Sequence, residues 1–171
     1  MQTTKDYLSV AGPLEFNKTA YNLSWSSHPS DNYYKQEYLP SGEIADKFRH
    51  MIMLEILEGT VSPRDAMMAK ANELKERKNS DPITNYQFIE NKATGEYILD
   101  FVISSNDIVE WNAYRYMSLK DGSTKGLVLF AYSRRAYGPA TTAFLTSLKT
   151  DRQRDINSLA TYKVPVVKIK P

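Results

Sequence analysis

The chain has 171 residues, and its 22 basic and 20 acidic side chains leave a net charge of +2. That balance excludes a nucleic-acid binder working through a concentrated basic face, because displacing counterions needs clustered cations. The absence of cysteine excludes disulfides, zinc thiolates, iron–sulfur clusters and thiol nucleophiles together.

The length suits one domain spanning residues 1–171, since single cores commonly hold roughly 100–200 residues. No transmembrane segment is expected, because the densest apolar run, MIMLEIL, is interrupted by Glu55. MQTTKDYLSVAG lacks the basic start and continuous apolar core of a signal peptide. Two localisations stay open. One is cytoplasmic; the other is periplasmic or secreted after signal removal, toward which twelve tyrosines and many Asn, Ser and Thr incline the reading.

In chain order, residues 1–12 are polar enough to be partly loose. Leu14 to Trp25 reads as one strand, with Tyr21, Leu23 and Trp25 at the spacing of a half-buried face. SSHPSDN then supplies turn chemistry through Pro29 and Asp31-Asn32. Tyr33 to Leu39 forms a second strand, closed by LPSGE. Residues 43–57 fit either helix or strand. As a strand, His50, Ile52, Leu54 and Ile56 share one face while Met51, Met53 and Leu57 share the other, and that doubly buried strand is the reading adopted.

Ser62-Pro63-Arg64-Asp65 begins a helix with a hydroxyl cap, a proline at the first helical position and an acid over the positive helix end. Met67, Ala71 and Leu74 make its inward stripe. Asn85–Glu90, Glu96–Ser104, Val109–Leu119 and Gly126–Arg135 read as four strands in two hairpins. Pro139 to about Ala160 is helical, with a capping box at Thr150–Gln153 that predicts a break there. VPVVKIKP is an edge strand or a tail. The sum is an α+β fold: a mostly antiparallel sheet of six to seven strands carrying two main helices.

EYLPSGEIADKFRHMIMLEIL, with Tyr38, Leu39, Pro40, Gly42, Glu43, Phe48 and Met51, resembles a pattern in an uncharacterised family of small exported bacterial proteins. SPRDAMMAKANELKERK, VEWNAYRY and VLFAYSRRAYG extend that likeness over most of residues 22–160. The element order resembles the PsbP-type α/β/α sandwich at the level of fold. The resemblance implies an extracytoplasmic, non-catalytic binding or assembly module whose partner is a protein or cell-envelope component. It transfers no catalytic residue.

The residues themselves assign no catalytic group, metal set or cofactor motif. His28 and His50 match no ligand spacing, and seven glycines supply neither GxxxxGK[ST] nor GxGxxG. In Tyr132-Ser-Arg134-Arg135-Ala-Tyr137, two arginines between tyrosines lead into a helix. They offer bidentate anion recognition, or, as the preferred reading, packing over an aromatic ring and a surface ion pair. Trp111 reads as core. Two functions are therefore carried forward. The first is a binding module using an aromatic-rich surface around Tyr33, Tyr34, Tyr38 and Tyr137. The alternative is a small hydrolase or ligand-binding enzyme with a pocket where Arg134, Arg135 and His28 converge.

Overall fold

The computed structural model describes residues 3–171. Its frame is one fully antiparallel sheet of eight strands: β1 (Leu14–Phe16), β2 (Thr19–Ser30), β3 (Tyr33–Pro40), β4 (His50–Glu58), β5 (Asn85–Asn91), β6 (Glu96–Ser105), β7 (Ile108–Ser118) and β8 (Gly126–Tyr137). Helix α1 (Pro63–Arg77) follows β4, and α2 (Ala140–Thr161) follows β8. The spatial order is β1-β2-β3-β4-β8-β7-β6-β5. Helix α1 carries the chain to the far edge, and three hairpins bring it back beside β4.

Within residues 43–57 the strand expected there begins only at His50; the residues before it form a loop with a short 3₁₀ turn at Ala45–Lys47. Alternation along β4 and β8 feeds two separate cores. Ile52, Leu54, Ile56, Phe130 and Tyr132 join Trp111, Leu148, Ile156 and Leu159 beneath α2. Met51, Met53, Leu129 and Phe101 join Met67, Ala71 and Leu74 beneath α1. The three inward residues of α1 are those its apolar spacing indicates, and Ser62 Oγ accepts from the Asp65 N–H at 3.1 Å as the cap chemistry requires.

The structure corrects four expectations. The sheet has eight strands rather than six to seven, because Leu14–Trp25 is split by a tight turn at Asn17-Lys18. Both turn residues have positive φ, 48° and 64°, the geometry of a two-residue hairpin, but without the glycine that usually announces one. SSHPSDN is not a loop: β2 runs through His28 and Pro29 to Ser30, and only Asp31-Asn32 turns. Proline is tolerated there because β1 pairs with only the first residues of β2, leaving the outer edge of its second half open. Helix α2 is unbroken at Thr150, whose hydroxyl donates back to the Ser147 carbonyl at 3.0 Å instead of capping a new helix.

The fourth concerns the opening segment. Met1 and Gln2 lie outside the described residues, but the stretch that follows is held. Leu8 and Val10 are buried, the Tyr7 N–H donates to Gln36 Oε1 at 2.7 Å, and Tyr38 Oη donates to the Val10 carbonyl at 2.6 Å. The closing segment forms no strand, yet Lys168 and Lys170 donate backbone N–H groups to the carbonyls of Leu8 and Tyr7.

Asp81 fastens α1 to the sheet. Its carboxylate accepts from the Ser104 N–H (2.7 Å), Ser104 Oγ (2.6 Å), Thr84 Oγ1 (2.9 Å) and Arg77 Nε (3.2 Å). Burial pushes its pKa up, but these donors outweigh that and bring it down to about 2. The lowered value means the stabilisation is complete above the ordinary carboxylate range and is lost as pH falls from 3.8 toward about 2.

Two stability predictions follow from these anchors. Leu8→Ala should lower the unfolding free energy by about 2–4 kcal/mol in a urea titration, the range for a collapsed core leucine site; an unchanged midpoint would mean the segment is not packed. Asp81→Asn should cost about 1.5–3 kcal/mol at neutral pH, and its melting temperature should vary less than the parent's between pH 4 and about 2.

Candidate functional site

Adjacent residues of a strand face opposite ways, so Arg134 and Arg135 cannot share a pocket. Arg134 lies under α2, with Nη1 at 3.0 Å from Asp155 Oδ2 and its guanidinium 5.4 Å from the centroid of Phe144. Arg135 lies on the other face. Its Nε and Nη2 donate to Glu110 Oε2 at 2.8 and 2.6 Å, and its guanidinium stacks 4.1 Å from the Phe48 ring. Burial alone would lower the Arg135 pKa; the bonds to Glu110 and Tyr137 raise it above the ordinary arginine value.

His28 joins neither. Its ring stacks on Tyr34 at 4.0 Å, and its Nδ1 lies 2.9 Å from the Tyr33 carbonyl. Tyr34 is level with Ile56 and hence Val128, at the opposite end of the strands from Arg135 and two strands away, a separation of roughly 25 Å. The convergent pocket of the enzyme reading does not form.

The expected aromatic surface also does not form. Tyr34 and Tyr38 are buried because alternation turns residues 34, 36 and 38 toward α2. Tyr137 is fixed by donating its hydroxyl to the Phe48 carbonyl at 2.8 Å. Tyr33 is half-buried on the other face, beside Lys35, which bridges Glu37 and Glu55.

What Arg135 and Tyr137 do line is a cleft of about 970 Å³. One wall is the loop between β3 and β4, contributing Glu43, Ile44, Lys47 and Arg49; the other is the first half of α2, with Ala140, Ala143, Phe144 and Ser147. Glu43 shapes the loop, since its Oε1 accepts from the backbone N–H groups of both Arg49 and His50. The cleft thus gathers three cations around a strip of small and apolar side chains. Arg135 is already committed to Glu110, but among the described residues neither Lys47 nor Arg49 has an ion-pair partner. Ile44 is 63% exposed beside them.

An uncharacterised protein family has a model that matches residues 8–164 of this chain. The chain belongs to that family. The matched span includes both walls of the cleft and every strand of the sheet. No curated protein matches the chain.

The sequence reading reached Arg135 and Tyr137 but missed Ile44, Lys47, Arg49 and Phe144. For the first three a signal is present in GEIADKFRH, where two cations flank Phe48 just before a buried strand; Phe144 has none. Sequence alone does not bring that loop beside α2. Among the described residues, no group of three or more His, Asp or Glu stands close enough to hold a metal. Among the described residues, no helix is long and apolar enough to cross a membrane.

His50 sits at the base of the loop. Its Nδ1 is 3.8 Å from Glu43 Oε2, yet desolvation, with the nearby Arg134 charge, outweighs that carboxylate and lowers its pKa below the usual 6.5. A lowered histidine pKa means the folded state resists protonation, so this contribution is present above pH 6.5 and is lost as pH falls through the depressed value. A thermal-denaturation series from pH 7.5 to 4.5 should therefore show His50→Gln losing less stability on acidification than the parent. Parallel curves would mean the ring is not desolvated.

Proposed function

We propose that this chain is a non-catalytic binding module whose cleft, between the β3–β4 loop and α2, takes an acidic, partly apolar peptide segment of a partner protein. The observation that carries the reading is the pairing of unneutralised Lys47 and Arg49 with exposed Ile44 and the Phe144 strip in one cleft. Cations without partners recruit a complementary charge and set its orientation, while the apolar strip supplies the area that gives affinity. A peptide fits better than a polyanion such as nucleic acid, because the net charge of only +2 gives no extended basic track.

The layering of one helix on each face of an antiparallel sheet supports assigning the fold to the PsbP-type α/β/α sandwich. A composition rich in tyrosine, asparagine, serine and threonine suits work outside the cytoplasm, on a protein or envelope component.

Fluorescence anisotropy with labelled peptides tests the site. Peptides combining Asp or Glu with a single aromatic should bind, weaken with added salt, and beat a lysine-rich control. The double variant Lys47→Glu/Arg49→Glu should lose about tenfold or more in affinity, on the order of 1.4 kcal/mol. Equal binding by the parent and the double variant would remove the cleft from consideration.

A further inference from the structure

The two edges of the sheet are built differently. On one side, β1 is only three residues long, and β2 beyond it carries Pro29 and two register irregularities against β3. Short strands, prolines and irregularities are the devices that stop an edge from pairing with another chain. On the other side, β5 has none of them. Its seven residues, NYQFIEN, pair with β6 without any register shift. They include no lysine and no proline, and one whole flank of the strand is open. Phe88 is 48% exposed and Ile89 is 53% exposed, on opposite faces of that edge. Large apolar side chains on an unpaired, regular edge form a ready template for strand addition.

The sequence of β5 says which strand completes it. Antiparallel pairing of β5 with a second β5, centred on Phe88, uses all seven residues. It sets Asn85 opposite Asn91, Tyr86 opposite Glu90, Gln87 opposite Ile89 and Phe88 opposite Phe88. Glu90 is the only charge in the strand, and this register keeps the two copies of it apart; a two-fold centred on Glu90 itself would place like charges face to face, which is destabilising. On the α1 side the result is a Phe–Phe contact flanked by two Tyr–Glu pairs. Amides and Ile89 pair on the α2 side. A two-fold interface must be self-complementary in this way.

We infer that the chain self-associates through β5, forming a two-fold dimer in which two eight-stranded sheets join into one continuous sheet across paired Phe88 residues. The dimer leaves the cleft of the β3–β4 loop free, since that cleft borders β4 and β8 and not the β5 edge.

The test uses the full chain, and its lack of native cysteine makes the readout clean. Multi-angle light scattering at roughly 100 µM should give about twice the 19.6 kDa chain mass, as expected for a dimer of micromolar dissociation constant. Phe88→Glu places two carboxylates opposite each other and should shift the protein to monomer, with an unchanged circular dichroism spectrum. Opposed residues in this arrangement have Cβ atoms about 4.5–5.5 Å apart, close to disulfide geometry. Phe88→Cys should therefore cross-link rapidly under mild oxidant, and Ile89→Cys, which faces Gln87, should cross-link far more slowly. Three results would each overturn the inference: a parent protein monomeric at that concentration, a Phe88→Glu variant that remains dimeric, or equal cross-linking of the two cysteine variants. The cysteine comparison stands even if Phe88→Glu fails to fold, because the two cysteine variants are compared with each other.

Discussion

The pairing of β4 with β8 is the constraint on which the rest depends. It is the strand pairing that joins two runs of local hairpins, residues 14–58 and 85–137, into one sheet. Nine residues of β4 pair in unbroken register from His50 opposite Arg134 to Glu58 opposite Gly126, and both strands are buried on both faces. Such burial is possible only with an apolar side chain at nearly every position, which HMIMLEILE and GLVLFAYS supply. The closeness of the strands shows at Gly126, where an added Cβ would meet the Leu57 carbonyl oxygen at 2.5 Å. Any side chain there would push the seam apart.

The same seam explains why two neighbouring arginines have separate duties. Arg134 helps fix α2 through Asp155, and it does not act alone. Arg152 of α2 reaches Asp100 of β6, which also accepts from the Trp111 indole N–H at 3.1 Å. Arg115 donates to the carbonyls of Leu159 and Tyr162, satisfying the end of α2. Two ion pairs along the helix and one charge-assisted bond set at its end hold its register against the sheet more specifically than apolar contact would. Arg135, on the opposite face, supports Phe48 and so the base of the β3–β4 loop. One cleft wall is thus a pinned helix and the other a loop clamped by Glu43.

Much of the fold is legible in the sequence because its signals are local. The Ser62-Pro63 cap, the Met67-Ala71-Leu74 stripe and the alternation of Tyr97, Leu99, Phe101 and Ile103 each need only neighbouring residues to be read. The turn at Asn17-Lys18 is not legible, since lysine does not advertise positive φ, and Thr150–Gln153 misleads because its hydroxyl has a helical carbonyl within reach. The site is less legible than the fold. Tyr34 and Tyr38 look like surface aromatics until one knows that the opening segment lies over them, and Arg49 and Phe144 line one cleft only once distant segments meet.

The clasp between the opening and closing segments has a mechanical meaning. Leu8 and Tyr7 bond to Lys168 and Lys170 in antiparallel fashion, and Lys170 Nζ also meets Asp6 at 3.1 Å. Both segments leave this clasp toward the same side, so tension between them loads its bonds one after another instead of all together. A pull on the two segments therefore peels the clasp open bond by bond before any load reaches the nine-residue β4–β8 register.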